Sequence, residues 1–398
     1  MIKLLPLAIA LAALSAIATS TITAADHSGH KMSGMARSGQ AELGATALFD
    51  AKGVLWAAHK DTGHIVVSYS ADLGKSWSTP IRVTPEPEET DTGGEARPKI
   101  AFGPGGEIYV TWTRKMTTPY SGEIRFARSL DGGQTFLAPL TVHHNRDDIT
   151  HRFDVMAINR KGQLFISWID KRDGIAATKA QASYRGAAVY FAVSDDQGAT
   201  FRGDFKLADY SCECCRIALA VGTDDTVVAM WRHVFAPNIR DHAIAVLHSD
   251  GTAGEVRRAT YDDWKLDGCP HHGPSLADDS QGRIHAVWFT QGEKNQGSYY
   301  GRLRDGGVEL QRHIGGQASA HPDLAIIGQR VAVAWTEFDG ERSRLRAMVS
   351  ENAGESWQEH DLATTTSLSD QPRVLTKDNR FYVFWNTRNE PRSLTPIP

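Results

Sequence analysis

Six stretches of the chain repeat one arrangement of apolar and polar positions: an aliphatic run, a Gly- or Asp-rich turn, then an alternating strand that ends in tryptophan. They begin near Arg97, Arg152, Cys215, His272, His321 and Gln371, and their tryptophans are Trp112, Trp168, Trp231, Trp288, Trp335 and Trp385. A looser seventh copy runs from Ala45 to His59. Alternation with period two marks strands whose two faces meet different surroundings. Within the first copy it predicts strands near Thr46–Phe49, Val54–Ala58, His64–Ser70 and Ile81–Val83. The copies recur at roughly 47 to 63 residues, the period of a propeller blade, whose short strands cannot bury both faces alone and so stack around an axis. The expected class is all-β, a β-propeller, with seven blades preferred on the count of copies and six as the alternative. The last copy stops soon after Phe381–Trp385. Closure therefore requires a strand from the N-terminal side or a final blade with fewer strands.

The predicted third strand of the first copy runs into SADLGKSW, Ser70 to Trp77, and this octapeptide returns as SLDGGQTF (Ser129–Phe136), SDDQGATF (Ser194–Phe201) and SENAGESW (Ser350–Trp357), with a worn form at Ser249–Gly254. Each is expected to be a turn between third and fourth strands. The Asp accepts backbone and hydroxyl hydrogen bonds, the Gly takes a conformation other residues resist, and the aromatic packs between blades. On these motifs the mature chain resembles the sialidase-like Asp-box propellers. The resemblance implies the propeller fold and, for a sialidase, three arginines for the substrate carboxylate, a tyrosine nucleophile polarised by Glu, and an Asp acid/base. Arg97 and Arg152 stand where such anion-binding arginines would. The family's early Arg-Ile-Pro signature has no match at Leu48-Phe49-Asp50, Tyr382 alternates within a strand as a packed aromatic would, and later phrase starts carry Cys215, His272 and His321. No catalytic residues are assigned, and sialoside cleavage is not expected.

Residues 1–25 read as a secretory signal, with Lys3, an apolar run from Leu4 to Ala18 and small residues up to Ala24 and Ala25. Cleavage after either alanine is allowed. Residues 26–42 form an expected disordered His/Met-rich tail, and residues 43–398 a single propeller domain. A periplasmic or secreted address follows, with no transmembrane segment after signal removal. The balance of 43 basic and 47 acidic residues has no basic block, which argues against nucleic acid as a partner.

Candidate chemistry collects at the phrase starts, which a propeller brings to one channel mouth. Cys214 and Cys215 fall there with His151, His271, His272 and His321, and Cys212 and Cys269 lie a few residues upstream, on the loops entering the adjacent blades four and five. Thiolates and imidazoles suit copper, as Cu(I) or Cu(II), and also zinc. In an exported protein the competing reading is structural disulfides, with Cys212–Cys269 as one pairing and the adjacent Cys214 and Cys215 left free because a mutual bridge would be strained. The expected site has Cys214 and Cys215 facing the channel beside His272, and Cys212 and Cys269 more peripheral. In the tail, His27, His30, Met32 and Met35 combine ligands for Cu(II) and Cu(I), as a segment that captures the metal would. The leading expectation is an exported copper-binding propeller in copper homeostasis or delivery, whose partners are the metal ion and other periplasmic copper-handling proteins. The alternatives are a sialidase-like glycan hydrolase or lyase using Arg97, Arg152 and an acid such as Asp154 or Asp170, and an interaction propeller with structural disulfides.

Overall fold

The computed structural model describes residues 43–392 and 394–398. The signal, the tail and its ligands His27, His30, Met32 and Met35 lie outside the described residues. The chain forms seven antiparallel sheets in sequence order, a seven-bladed propeller. In the first blade the strands are Thr46–Phe49, Leu55–Asp61, His64–Ser70 and Ile81–Arg82, innermost to outermost. The second blade gains an extra strand, Thr90–Asp91, paired with Ile108–Lys115. The seventh has three strands, ending in Leu394–Pro396. Of the two routes to closure, the ring takes the shorter final blade.

Side-chain packing performs that closure. Ala45, Ala47, Leu55 and Ala57 of the first blade pack with Leu375 and Phe384 of the seventh. The Trp77 indole N–H donates to Arg392 O at 3.1 Å, and its ring meets Phe384 edge-on at 6.5 Å. Elsewhere the repeated tryptophans fill the space between blades: Trp112, Trp168, Trp231, Trp288 and Trp335 are fully buried. Four of these five place the indole N–H on a carboxylate, of Glu88, Asp170, Asp262 and Glu337, at 2.8–2.9 Å. A buried donor left unpaired would offset part of the hydrophobic gain.

The octapeptide turns have the anticipated chemistry. In the first, Gly74 N–H donates to Ser70 Oγ at 2.8 Å, and Asp72 accepts from the Ser76 amide at 2.9 Å and its hydroxyl at 2.6 Å. The fourth copy keeps the arrangement with Asn352 in place of Asp. Its Gly354 has φ +91°, and a Cβ there would stand 2.0 Å from Tyr300 Oη of the preceding blade. Both constraints demand glycine.

Several histidines are buried as neutral rings rather than displayed. His143 stacks on His151 with centroids 3.9 Å apart. Burial, with His151 adding to it, pushes the His143 imidazolium down to about 3, and burial with Arg392 does the same to His59, also to about 3. His242, fully buried and facing Arg232, lies well below its ordinary value. The unfolded chain protonates these rings near pH 6.5 while the native state does not. Above that pH neither state is charged and the contribution is constant. Below it the unfolded state binds more protons, so stability falls with pH until the folded value is reached. A ring as buried as His143 costs about 1.4 kcal/mol per pH unit in that window. The melting temperature is expected to drop steadily from pH 7 to pH 5, and a flat profile there would refute this account.

Candidate metal centre

Two segments carry the cysteines. Cys212–Arg216 joins the outermost strand of blade three (Arg202–Ser211) to the innermost of blade four (Ala218–Val221). The segment containing Cys269 leads into the innermost strand of blade five, Ser275–Asp278. Adjacent blades bring these segments together at one face. The first bends sharply, so that Cys212, Cys214 and Cys215 turn their sulfurs inward, all three within 4.8 Å of one another. Cys212 Sγ lies 3.7 Å from Cys214 Sγ and 3.8 Å from Cys215 Sγ. All four cysteines are free thiols; the triad is buried and Cys269 is partly exposed. Cys269 meets Cys214 from the outside without joining the triad.

Positive charge surrounds the sulfurs. Arg240 Nη1 reaches Cys212 Sγ at 3.3 Å. Arg232, 1 % exposed, donates to backbone carbonyls of Arg240, His272 and Phe289 at 2.7–2.9 Å. Among the described residues neither guanidinium forms a direct ion pair with a carboxylate, and Asp262 acts on Arg232 only from a longer range. Hydrogen bonds from Cys214 and then Cys215 hold the Cys212 thiol well below its ordinary range, with Arg240 and Arg232 adding to them. Cys214 is correspondingly pushed up by its hydrogen bonds to Cys212, Cys215 and Cys269. Cys212, the sulfur that Arg240 contacts, is therefore the thiol whose ionised form these neighbours favour most. The Lys171 ammonium pairs with Glu213 at 2.6 Å, pinning the bend between its cysteines.

The structure corrects the expected arrangement in several respects. Cys212 is central to the triad, not peripheral, because the bend folds its sulfur back onto its two successors. The neighbour of Cys269 is Cys214 rather than Cys212. Among the described residues no imidazole nitrogen joins the sulfur group. His272 and His321, at the starts of neighbouring blades, stack on each other at 4.3 Å, with Phe289 on the other face of His272 at 4.0 Å. His271 is exposed, with φ +52°. His151 belongs elsewhere: its Nδ1 faces Gly122 O and its Nε2 faces Asn145 Oδ1, both at 3.1 Å.

The arginines are also engaged. Arg97 donates to Asp370 at 3.0 Å and to the carbonyls of Ala45 and Gly94 at 2.9 and 2.8 Å. Arg152 is paired with Asp91 and covers the Phe153 ring. Asp154 is held by Lys99, Thr111 and Thr113, and Asp170 by Trp168 and Arg172. Tyr382 packs edge-on against Phe49.

Sequence reasoning missed the residue that ties the mouth together. Glu95, from the segment that joins Thr90–Asp91 to Lys99–Phe102 within blade two, accepts from the Arg216 guanidinium at 2.8 Å and amide at 2.9 Å, from Gly273 N–H at 2.8 Å and from Gln371 at 3.0 Å. Burial alone would push its carboxyl up; Arg216, His321 and the Arg216 amide together override that and hold it well below the ordinary range. Arg216 and Gly273 directly follow Cys215 and His272, so this carboxylate fixes both segments that lead to the cysteines. Beneath it lies a central cavity of about 660 Å³ whose polar lining includes Lys99, Asp154, Asp323 and Arg373. Arg216 directly follows the phrase-start Cys215 but was not singled out, and Glu95 sits in GGEARP with no distinguishing signal.

No protein-family model matches the sequence, and a search of curated proteins finds no match. Solved structures do resemble it. A protein of unknown function from Dyadobacter fermentans DSM 18053 superposes with TM-score 0.53 at 16 % identity, over 79 % of this chain and 96 % of its own. An ulvan lyase solved with a -[GlcA(1-4)Rha3S]- ligand gives TM-score 0.52 at 10 % identity, over 88 % and 90 %. The polysaccharide lyase Uly1 gives 0.53 at 10 %, over 89 % and 88 %. At these identities the likeness establishes the propeller fold.

Proposed function

We propose that the protein is an exported metal-binding propeller that holds copper(I) in the Cys212–Cys214–Cys215 triad, in copper homeostasis or delivery. The observation that carries this reading is three buried, mutually close thiols beside two guanidiniums that form no direct ion pair with a carboxylate among the described residues. Sulfurs about 2.3 Å from a shared ion stand about 3.8 Å apart at tetrahedral angles and about 4.0 Å apart in a trigonal plane; the separations from Cys212 are 3.7 and 3.8 Å. Three thiolates on copper(I) carry a net charge of about −2, which Arg240 and Arg232 offset. Zinc is served best by a closed set of four ligands. Here the fourth thiol stands outside the triad, which favours the softer ion. The His/Met residues of the tail supply ligands for capture before the triad.

A second reading, a glycan hydrolase or lyase working in the central cavity, rests on the fold shared with the ulvan lyase and on the cationic groups lining that cavity. The ion pairs already made by Arg97 and Arg216, and by Arg373 with Asp323 at 3.1 Å, leave few free clamps for an anionic sugar.

The discriminating experiment is copper(I) titration of the mature protein and of a variant lacking residues 26–40, beside assays on ulvan and a fluorogenic sialoside. Tight binding of one ion that survives tail removal is expected, with no sugar release. Loss of all copper binding on tail removal, or turnover of either glycan, would overturn the proposal.

A further inference from the structure

The four thiols are not equivalent. Cys212, Cys214 and Cys215 are between 1 % and 4 % exposed, so a triad that binds an ion offers it no direct path from solvent. Cys269 is partly exposed and packs against the buried cluster that holds the triad, with Cys214 as its thiol neighbour. On the Cys212 side stands Arg240, whose Nη1 meets Cys212 Sγ and whose Nε donates to Leu266 O at 2.9 Å, a carbonyl that also accepts from Asn238 at 3.1 Å. Arg240 is thereby fastened to the segment that carries Cys269. The accessible thiol and the buried side of the cluster are built by one pair of loops.

We propose that Cys269 is the loading thiol of this centre: it takes copper(I) from a thiolate or chelate donor and passes it through Cys214 to the buried triad. This inference rests on the proposed copper site. The step is ligand substitution without change of oxidation state. The Cys269 sulfur forms a bond to the ion and gives its proton to solvent, and one bond from the donor to the ion breaks. Cys214 then binds, giving its proton to solvent as the last donor bond breaks, and the Cys269–copper bond is exchanged for bonds to Cys212 and Cys215, whose displaced protons pass to the released Cys269 and to solvent. A soft ion held by two or three sulfurs can move this way without becoming free. Cys269 acts on the rate, and the triad sets the affinity.

The test uses the full mature chain and copper(I) presented as its bicinchoninate complex, with transfer followed by loss of the complex's colour. Cys269→Ser is expected to leave the equilibrium affinity within about threefold of wild type and to slow transfer by about tenfold or more. Alkylation of the loaded wild-type protein with iodoacetamide should modify Cys269 and spare the other three. An affinity loss in Cys269→Ser equal to that of Cys214→Ser, or protection of all four cysteines on loading, would make Cys269 a permanent fourth ligand and overturn the inference. An unchanged transfer rate would also overturn it. Wild-type protein that takes no copper(I) would fail the metal reading itself, an outcome distinct from a defect confined to the Cys269 variant.

Discussion

Cys212→Ser is expected to weaken copper(I) binding more than any other single change at the centre, by well over about 100-fold. Losing a group that merely supports a ligand costs about 10–100-fold in metal affinity, and Cys212 is itself the sulfur that contacts both others. Serine offers a hard, neutral oxygen in place of a soft thiolate. It also leaves Arg240 facing no anion, where Cys212 now stands at 3.3 Å. Folding should change little by comparison, because the substitution removes no apolar bulk and creates only a small void. Competition titration against a copper(I) chelator reads the affinity, and the melting temperature of the apo protein serves as the folding control. A variant that retains wild-type affinity would remove the triad as the binding site.

Glu95→Ala is expected to cost about 3–5 kcal/mol of stability, the largest loss from any single polar residue in the ring. Truncating one partner of a buried ion pair leaves the other charge unpaired in a poor solvent for it. Here that charge is Arg216, 9 % exposed, whose guanidinium and amide both depend on the lost carboxylate. Gly273 N–H and the Gln371 amide lose their acceptor as well. The segments leading into blades four, five and seven are then released together, so copper(I) affinity should fall alongside stability. Urea unfolding of the apo protein measures the effect. A loss below about 1 kcal/mol would mean that solvent screens this network as it does an exposed ion pair, and would contradict the account.

Blade count and strand placement were readable because a period-two pattern ending in tryptophan is a direct image of a strand buried between two layers, and seven copies appear. The octapeptide turns were readable for a similar reason: their hydrogen bonds lie within the motif. The closing blade was not fixed by pattern, since Leu394–Pro396 is three residues long and carries no periodic signal of its own. At the site, position within the repeat told which residues arrive at the mouth, as Cys214, Cys215, His272 and His321 do. It did not tell which of them touch. His151 occupies a comparable position, yet its blade stacks it on His143. The imidazoles of His272 and His321 come from adjacent blades and find each other rather than the sulfurs. Cys212 became central through a local bend, and such a turn is set by the backbone of four residues rather than by any long pattern. Glu95 joins residues more than 100 positions away, a long-range pairing that leaves no trace in local sequence.

The most direct measurement is copper K-edge X-ray absorption on the full mature protein loaded with one equivalent of copper(I) under reducing conditions. The account predicts a first shell of three sulfurs at about 2.3 Å, with the Cys212→Ser variant losing that shell. A shell of nitrogen or oxygen atoms in the wild type, or the same spectrum for wild type and variant, would contradict it.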